Sequence, residues 1–354
     1  MKDTILVLQG AGALGAYECG VYKALEEKGI RPDVVVGASM GAINAAIIAS
    51  HRPGEVALAL EAFWSDIGVA TPSFPHEGLR RLTASYQALF MGVPNCFVPK
   101  WLNPYLNPWL PISWTSFYDR RPLKRLLERH VDFEYLLSSK TRLILTAVNV
   151  ETGELEIFDA RTGPIGPDHI IASGSFPPEF AWTQIDGRVF WDGTLGSNTP
   201  LRPVLERMVM ESIRNKTEVK EKKVYMVDQP PKVKSRPRNL LQVLDRQKEI
   251  LYSDKVQSDI RECQMVNDAL LLIKNLLAKV DGAEAKKVRE SQIYKRFVGQ
   301  SCWVDVTRID HTGEAGECYP KHYDFSRKSI QRYQVLGYQK THELLAKETS
   351  HAIH

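Results

Sequence analysis

The pentad GASMG, residues 37–41, sets Ser39 between two glycines, after the apolar run VVV and before the small-residue run GAINAAIIAS. In a sharp strand-to-helix turn, Gly37 and Gly41 would let the chain reverse. Ser39 would then stand out at the end of a sheet with the positive end of the following helix aimed at its hydroxyl. That is the setting of a nucleophile. The pentad alone recurs by chance in roughly one chain of this length in eight, so the strand before it and the helix after it carry the weight.

Upstream lies GAGALG, with Gly10, Ala11, Gly12, Ala13, Leu14 and Gly15, which matches the GxGxxG form of a dinucleotide loop. A dinucleotide site also needs an acidic residue at the carboxyl end of the next strand to hold ribose hydroxyls. Asp33 has the right distance but precedes VVV, at the amino end, and the carboxyl end carries Gly37, Ala38 and Ser39. A loop of small residues opening a helix offers backbone N–H groups that suit a tetrahedral oxyanion as well as a phosphate. Two neighbouring strands that both end in glycine turns at one sheet edge would bring GAGALG beside Ser39.

A serine nucleophile requires a proton acceptor. Among nine histidines, His169 precedes an apolar run and reads as a helix-start residue. His311 and His322 follow Ser39 in the order that a Ser/Asp/His triad demands. In VFWDGTLGSNTPL, Asp192 follows a strand and precedes Gly193 and Thr194, a position where site residues emerge. An aspartate before glycine also caps its own turn, and spacing leaves both readings open.

The elements that must hold these residues are legible as periodicity. TILVLQ and DVVVGAS read as buried strands, and the helix between them makes a parallel βαβ unit. A helix near 54–67 follows. Between Pro72 and Pro122 the prolines argue against regular structure, and the aromatic stretch from Trp101 to Phe117 reads as an excursion on the core or an apolar lid. PLKRLLERH reads as a helix. RLILTAVNV with ELEIFDA, and AWTQI with VFWDG, read as two hairpins flanking a helix at DHIIASGSF, and a further helix spans 202–213. KVYMVD and CWVDVTRI are strands, residues 239–298 have long helical periodicity, and SRKSIQRYQVLGYQKTHELLAK is a terminal helix.

Composition bounds the rest. The chain has 354 residues, 44% of them hydrophobic and 25% charged, as in an ordinary globular protein. A net charge of +4 without single-sign blocks gives nucleic acid no electrostatic footprint. Cys19, Cys96, Cys263, Cys302 and Cys318 lack metal-ligand spacing and read as reduced thiols of a cytoplasmic protein. No ligand cluster implies a metal, and no cofactor is expected. The apolar run before the glycines is too short for a signal peptide, and no window reaches a membrane span, so any membrane contact must be peripheral.

Together the glycine loop Gly10–Gly15, the elbow Gly37–Gly41 and the Asp-Gly turn at Asp192–Thr194 resemble the patatin-like phospholipase family, in its order and spacing. LQGAGALGAYECGVYKAL and ASGSFPPEF resemble a bacterial branch with a carboxyl-terminal helical extension. The resemblance implies an α/β fold, a three-layer α/β/α sandwich with a mostly parallel sheet. It places a hydrolase domain over 4–212 and a mostly helical extension, packed on the core, over 213–354. It implies a Ser/Asp dyad in which Ser39 attacks an ester carbonyl, Asp192 takes the proton, and amides around Ala11, Gly12 and Ala13 hold the oxyanion.

The substrate implied is an acyl lipid or simple ester. Alternatives on the same residues are an acyltransferase, a polyhydroxyalkanoate depolymerase, or a lipid-binding relative without turnover. Three letters depart from the family pattern: Ala11 replaces a glycine, Leu14 stands where a cation is common, and Thr194 replaces a small residue. Neither chain-length and headgroup preference nor oligomeric state is legible.

Overall fold

In the computed structural model, residues 2–100, 115–217, 219–228, 236–237, 240–311 and 321–351 are described. Residues 101–114, which hold most of the aromatic excursion, and Cys318 lie outside them. β1 (Asp3–Leu8) ends in a 3-10 turn, Gly12–Gly15, that runs into α1 (Ala16–Glu27). β2 (Val34–Gly37) then leads to α2 (Met40–Ala49), and α3 (Val56–Ile67) and α4 (Glu77–Met91) follow. β3 (Val98–Pro99) pairs with β4 (Tyr118–Asp119) before α5 (Arg121–His130) and α6 (Phe133–Ser138).

β5 (Arg142–Asn149) and β6 (Leu155–Asp159) form the first hairpin, α7 (Pro167–Ser173) intervenes, and β7 (Thr183–Ile185) with β8 (Arg188–Asp192) forms the second. After α8 (Leu201–Arg214) come β9 (Lys222–Asp228), α9 (Leu240–Leu277), α10 (Gly282–Glu290), α11 (Gln292–Gly299) and β10 (Val304–Asp310). A 3-10 turn, Lys321–Tyr323, precedes α12 (Arg327–His351).

Apart from the β3–β4 pair, the strands form one sheet in the order β10-β9-β1-β2-β5-β8-β7, with β6 also on β5. From β10 to β5 the neighbours are parallel, and β6, β7 and β8 join antiparallel, so the central sheet is mostly parallel. Alternate residues of a strand face opposite sides of its sheet. Here Leu6, Leu8, Val35, Leu143 and Leu145 join one apolar cluster, with α1, α2 and α3. Ile5, Val7, Val34, Val36 and Ile144 join the other, with α8. Helices therefore cover both faces, as the three-layer expectation required. α2 is buried all round, which accounts for its uniformly small, apolar sequence.

One expectation is corrected. The stretch after Pro72 was expected to lack regular structure, yet α4 runs through it. Pro72, Pro75 and Pro94 stand outside the helix, where they frame it and do not interrupt it. Its buried side carries Arg80, Arg81, Ala84, Ser85 and Ala88, while Phe90 and Met91 are exposed, so its apolar pattern points the wrong way.

Residues beyond 212 return to the same sheet: β9 pairs with β1, and β10 with β9. α12 lies along α1, where an added Cβ on Gly20 or Gly337 would overlap the backbone of the facing helix.

Candidate active site

Strand register gathers the motif residues at one edge. Leu8 is level with Gly37, and Gly37 with Leu145. Asp192 pairs with Ala147, two residues further along β5, at the height where the chain after Gly37 turns out of the sheet. Both glycine motifs and the aspartate therefore meet at the carboxyl end of the parallel strands, where α/β sheets place their ligands. They surround a pocket of about 120 Å³ lined by Gly10, Ala11, Gly12, Ser39, Asp192 and Thr194.

Ser39 has φ 55° and ψ −122°, a strained conformation for a residue with a side chain. Its N–H donates to Ser173 O at 3.0 Å and Ser173 Oγ at 3.2 Å, which fixes the bend. No side chain fits at the flanking glycines: a Cβ on Gly37 would strike the Gly41 carbonyl, and one on Gly41 would lie 2.6 Å from the Leu8 oxygen. Strand β1, the elbow and α2 thus touch backbone to backbone. Ser39 keeps accessible surface only because it faces the pocket.

Asp192 is fully buried at the end of β8, and its two oxygens differ. Oδ1 accepts the Thr194 N–H at 2.8 Å, the turn cap that one sequence reading anticipated. Among the described residues Oδ2 has no well-formed hydrogen bond. Burial pushes the carboxyl pKa up to about 6. The Thr194 amide, the nearby Ser39 hydroxyl and the Arg120 charge oppose that rise. The hydroxyl is close enough to favour the charged carboxylate without the alignment of a completed bond, as is common before substrate arrives.

In the glycine loop, Ala11 has a negative φ of −147°, so its place is not one where a left-handed backbone demands glycine. Gly12 has φ +55° and does need its freedom. Ala13, Gly15, Gly37, Gly41 and Gly193 are not pocket-lining. Behind the loop, Gly15 O accepts from Asn44 Nδ2 at 2.9 Å, Asn44 Nδ2 also donates to Glu18 Oε2, and Trp64 Nε1–H holds Asn44 Oδ1. Burial raises the Glu18 pKa to about 8, so this support carries a proton at neutral pH. Leu14 is buried in the core, so its side chain lies away from the pocket.

The histidines separate clearly. His169 accepts the Gly166 N–H at the start of α7, as a helix-start residue should. His311 is buried edge-on against the rings of Tyr17 and Tyr333 and does not line the pocket. His322 lines it, yet its Nδ1 faces Ala11 O at 2.9 Å.

Residues without a motif complete the pocket. Arg120 Nη1 donates to Ile171 O at 3.0 Å, and its guanidinium lies 4.4 Å from the centre of the Phe180 ring. Among the described residues its Nε meets no acceptor, and no carboxylate lies in salt-bridge contact with it. Burial lowers the Arg120 pKa, and this cation stands in the pocket. Phe97, Phe176 and Phe180 supply apolar wall, and Tyr323 and Phe325 come from beyond residue 212. ASGSFPPEF gave an advance signal for Phe176 and Phe180, and the aromatic run that begins at Cys96 and ends at Tyr118 gave one for Phe97. A larger cavity of about 640 Å³ beside α8 and α9 contains none of the motif residues.

The family model described as patatin-like phospholipase matches residues 6–205, and a second, described as patatin phospholipase, matches residues 250–353. Lysophospholipase nte1 of Aspergillus terreus is 54% identical over 44 residues, a match covering 12% of this chain and 3% of that protein. VipD from Legionella pneumophila aligns over 98% of this chain and 67% of its own at 14% identity, with a TM-score of 0.42. ExoU in its complex with SpcU, from Pseudomonas aeruginosa, aligns over 98% of this chain and 51% of its own at 14% identity, with a TM-score of 0.33.

Proposed function

The chain belongs to the patatin-like phospholipase family, and from that premise we propose that it is a serine hydrolase of carboxylic esters acting on acyl lipids. The observation that carries this reading is the pairing, in one small pocket, of the Ser39 elbow with a buried carboxylate whose Oδ2 has no completed hydrogen bond. Ser39 Oγ attacks the ester carbonyl while its proton passes to Asp192 Oδ2. The charge that develops on the carbonyl oxygen is met by loop amides at Ala11 and Gly12, where preorganised donors act in a low-dielectric site.

Collapse of the tetrahedral species breaks the ester C–O bond. The departing alkoxide takes the proton from Asp192, leaving the acyl group on Ser39. Water then attacks the acyl-enzyme, gives its proton to the same carboxylate, and the fatty acid leaves as Ser39 recovers its hydroxyl.

Phenylalanine walls suit an acyl chain, and the Arg120 cation suits an anionic headgroup, which favours a phospholipase A or lysophospholipase type of substrate. No described helix is long and apolar enough to cross a membrane, so such lipids would be met at a surface.

Hydrolysis of a p-nitrophenyl acyl ester tests the reading. Ser39→Ala and Asp192→Asn should each lower kcat by ~10⁴-fold or more, as loss of a nucleophile or its partner does elsewhere, with unchanged melting cooperativity. A fluorophosphonate should label Ser39 in the wild-type protein. An unlabelled Ser39, or full activity in Asp192→Asn, would overturn the proposal.

A further inference from the structure

The glycine loop is clamped between two distant parts of the chain. On one side Gly10 packs on Ser39 and Thr194: a Cβ built there would lie 2.9 Å from Ser39 Cβ. On the other, the turn Lys321–Tyr323 presses on Gly12, where a Cβ would lie 2.5 Å from His322 O. The His322 ring reaches back to Ala11 O at 2.9 Å. A carbonyl oxygen only accepts, so Nδ1 carries the proton and donates. Leu14 N–H donates to the same oxygen at 3.2 Å, and Ala11 O is held from two directions.

The peptide joining Ala11 to Gly12 is planar and trans, so its C=O and N–H point in opposite directions. A carbonyl fixed toward the His322 ring therefore turns the Gly12 N–H away from that ring, and Gly12 lines the same pocket as Ser39. As the first amide of a 3-10 turn, the Gly12 N–H has no partner within that turn, and no other described residue accepts it.

We infer that His322 is a positioning residue for the reaction: its Nδ1–H sets the Ala11–Gly12 peptide so that the Gly12 N–H serves the oxyanion. It acts through the backbone and does not take the serine proton. The pocket is then incomplete without a segment far beyond the nucleophile and aspartate. This inference rests on the ester-hydrolase reading.

Two variants separate the donor from the ring. His322→Asn keeps an N–H near the position of Nδ1 and removes the ring. His322→Phe keeps the ring and removes the donor. For the p-nitrophenyl ester, the Phe variant should lose ~10–100-fold in kcat with KM changed less than about twofold, since a misaimed oxyanion donor forfeits part of the ~10²–10³ that one donor is worth. The Asn variant should recover most of that loss, and fluorophosphonate labelling of Ser39 should follow the same order.

An Asn variant no faster than the Phe variant would overturn the inference, as would a Phe variant with wild-type kcat. If the Phe variant does not fold, the Asn variant decides alone: kcat near wild type supports the donor role, and collapse of kcat refutes it. An inactive wild type with unlabelled Ser39 would remove the ester-hydrolase reading itself, whereas an active wild type with failed Asn recovery removes only the role of His322.

Discussion

At the scale of single residues, Asp192 ties catalysis to stability. Its folded pKa of about 6 lies above the ordinary 3.8, and burial is the cause. A base must be ionised, so kcat/KM should climb with pH through about 6 and level off above it, read from a pH profile with a neutral ester. Stability runs the other way. A raised carboxyl pKa means that the native state holds the proton more tightly, so its stabilising contribution is complete below pH 3.8 and is lost as pH rises through about 6. Ionised Asp192 then costs up to ~3 kcal/mol, two pKa units at 1.36 kcal/mol each. Asp192→Asn keeps the acceptor for the Thr194 amide and removes that charge. Its urea midpoint should match wild type at pH 4 and exceed it at pH 8, and a lower midpoint at pH 8 would show that burial of the charge is not what is relieved.

The same residue shows what a sequence reveals. Ser39, Asp192 and the glycines were legible because turns and elbows restrict which residue types fit, and the structure gathers Ser39, Asp192 and Gly10–Gly12 into one pocket. Arg120 was not legible, and His322 was legible only as a candidate base, because their contacts are with the main-chain oxygens of Ile171 and Ala11, which leave no mark in residue type.

Among the elements, α4 was the least readable, for a related reason. Its buried side is held by polar contacts with the start of α12. Arg80 Nη1 donates to Ser326 Oγ at 2.6 Å and Nη2 to Ser329 Oγ at 2.8 Å, while Nη2 also pairs with Glu77. Asp324, fully buried, accepts from both serine hydroxyls and lies 4.0 Å from Arg80. Such a network replaces the apolar stripe by which a helix is found from periodicity. It also predicts a vulnerability. Arg80→Met retains bulk but leaves the Asp324 carboxylate buried without its cation, a change that typically costs ~3–5 kcal/mol. The variant should unfold at clearly lower urea, and Asp324→Asn in the same chain should restore part of the loss. An unchanged midpoint in Arg80→Met would mean that the network contributes nothing net.

On the scale of the whole molecule, the sheet and the pocket both depend on residues far along the chain. Without β9, β1 would be an edge strand with an unpaired ladder directly behind the glycine loop. Parallel pairing of β1 with β2 and the helix between them were foreseeable from local pattern, but the return of β9 and β10 to the far side of β1 joins segments that periodicity cannot relate. Contact between α1 and α12 closes this arrangement, and it is tightest at Gly20 and Gly337.

Replacing a helix-interior glycine by alanine normally stabilises by ~0.5–1 kcal/mol, because glycine loses more backbone freedom on folding. At Gly20 the added methyl would overlap the Gln334 carbonyl oxygen and lie 2.7 Å from Tyr338 N, both backbone atoms that cannot rotate away. Overpacking of this kind costs ~1–3 kcal/mol, so the overlap outweighs the propensity gain. Gly20→Ala should therefore melt below wild type. Gly282→Ala, where the added carbon meets nothing within 4 Å, should not. Because α12 begins just after the turn that carries His322, displacing it should also lower kcat, joining the packing of two helices to the aim of one amide. A Gly20→Ala protein as stable and as active as wild type would show that α12 gives way without disturbing the pocket.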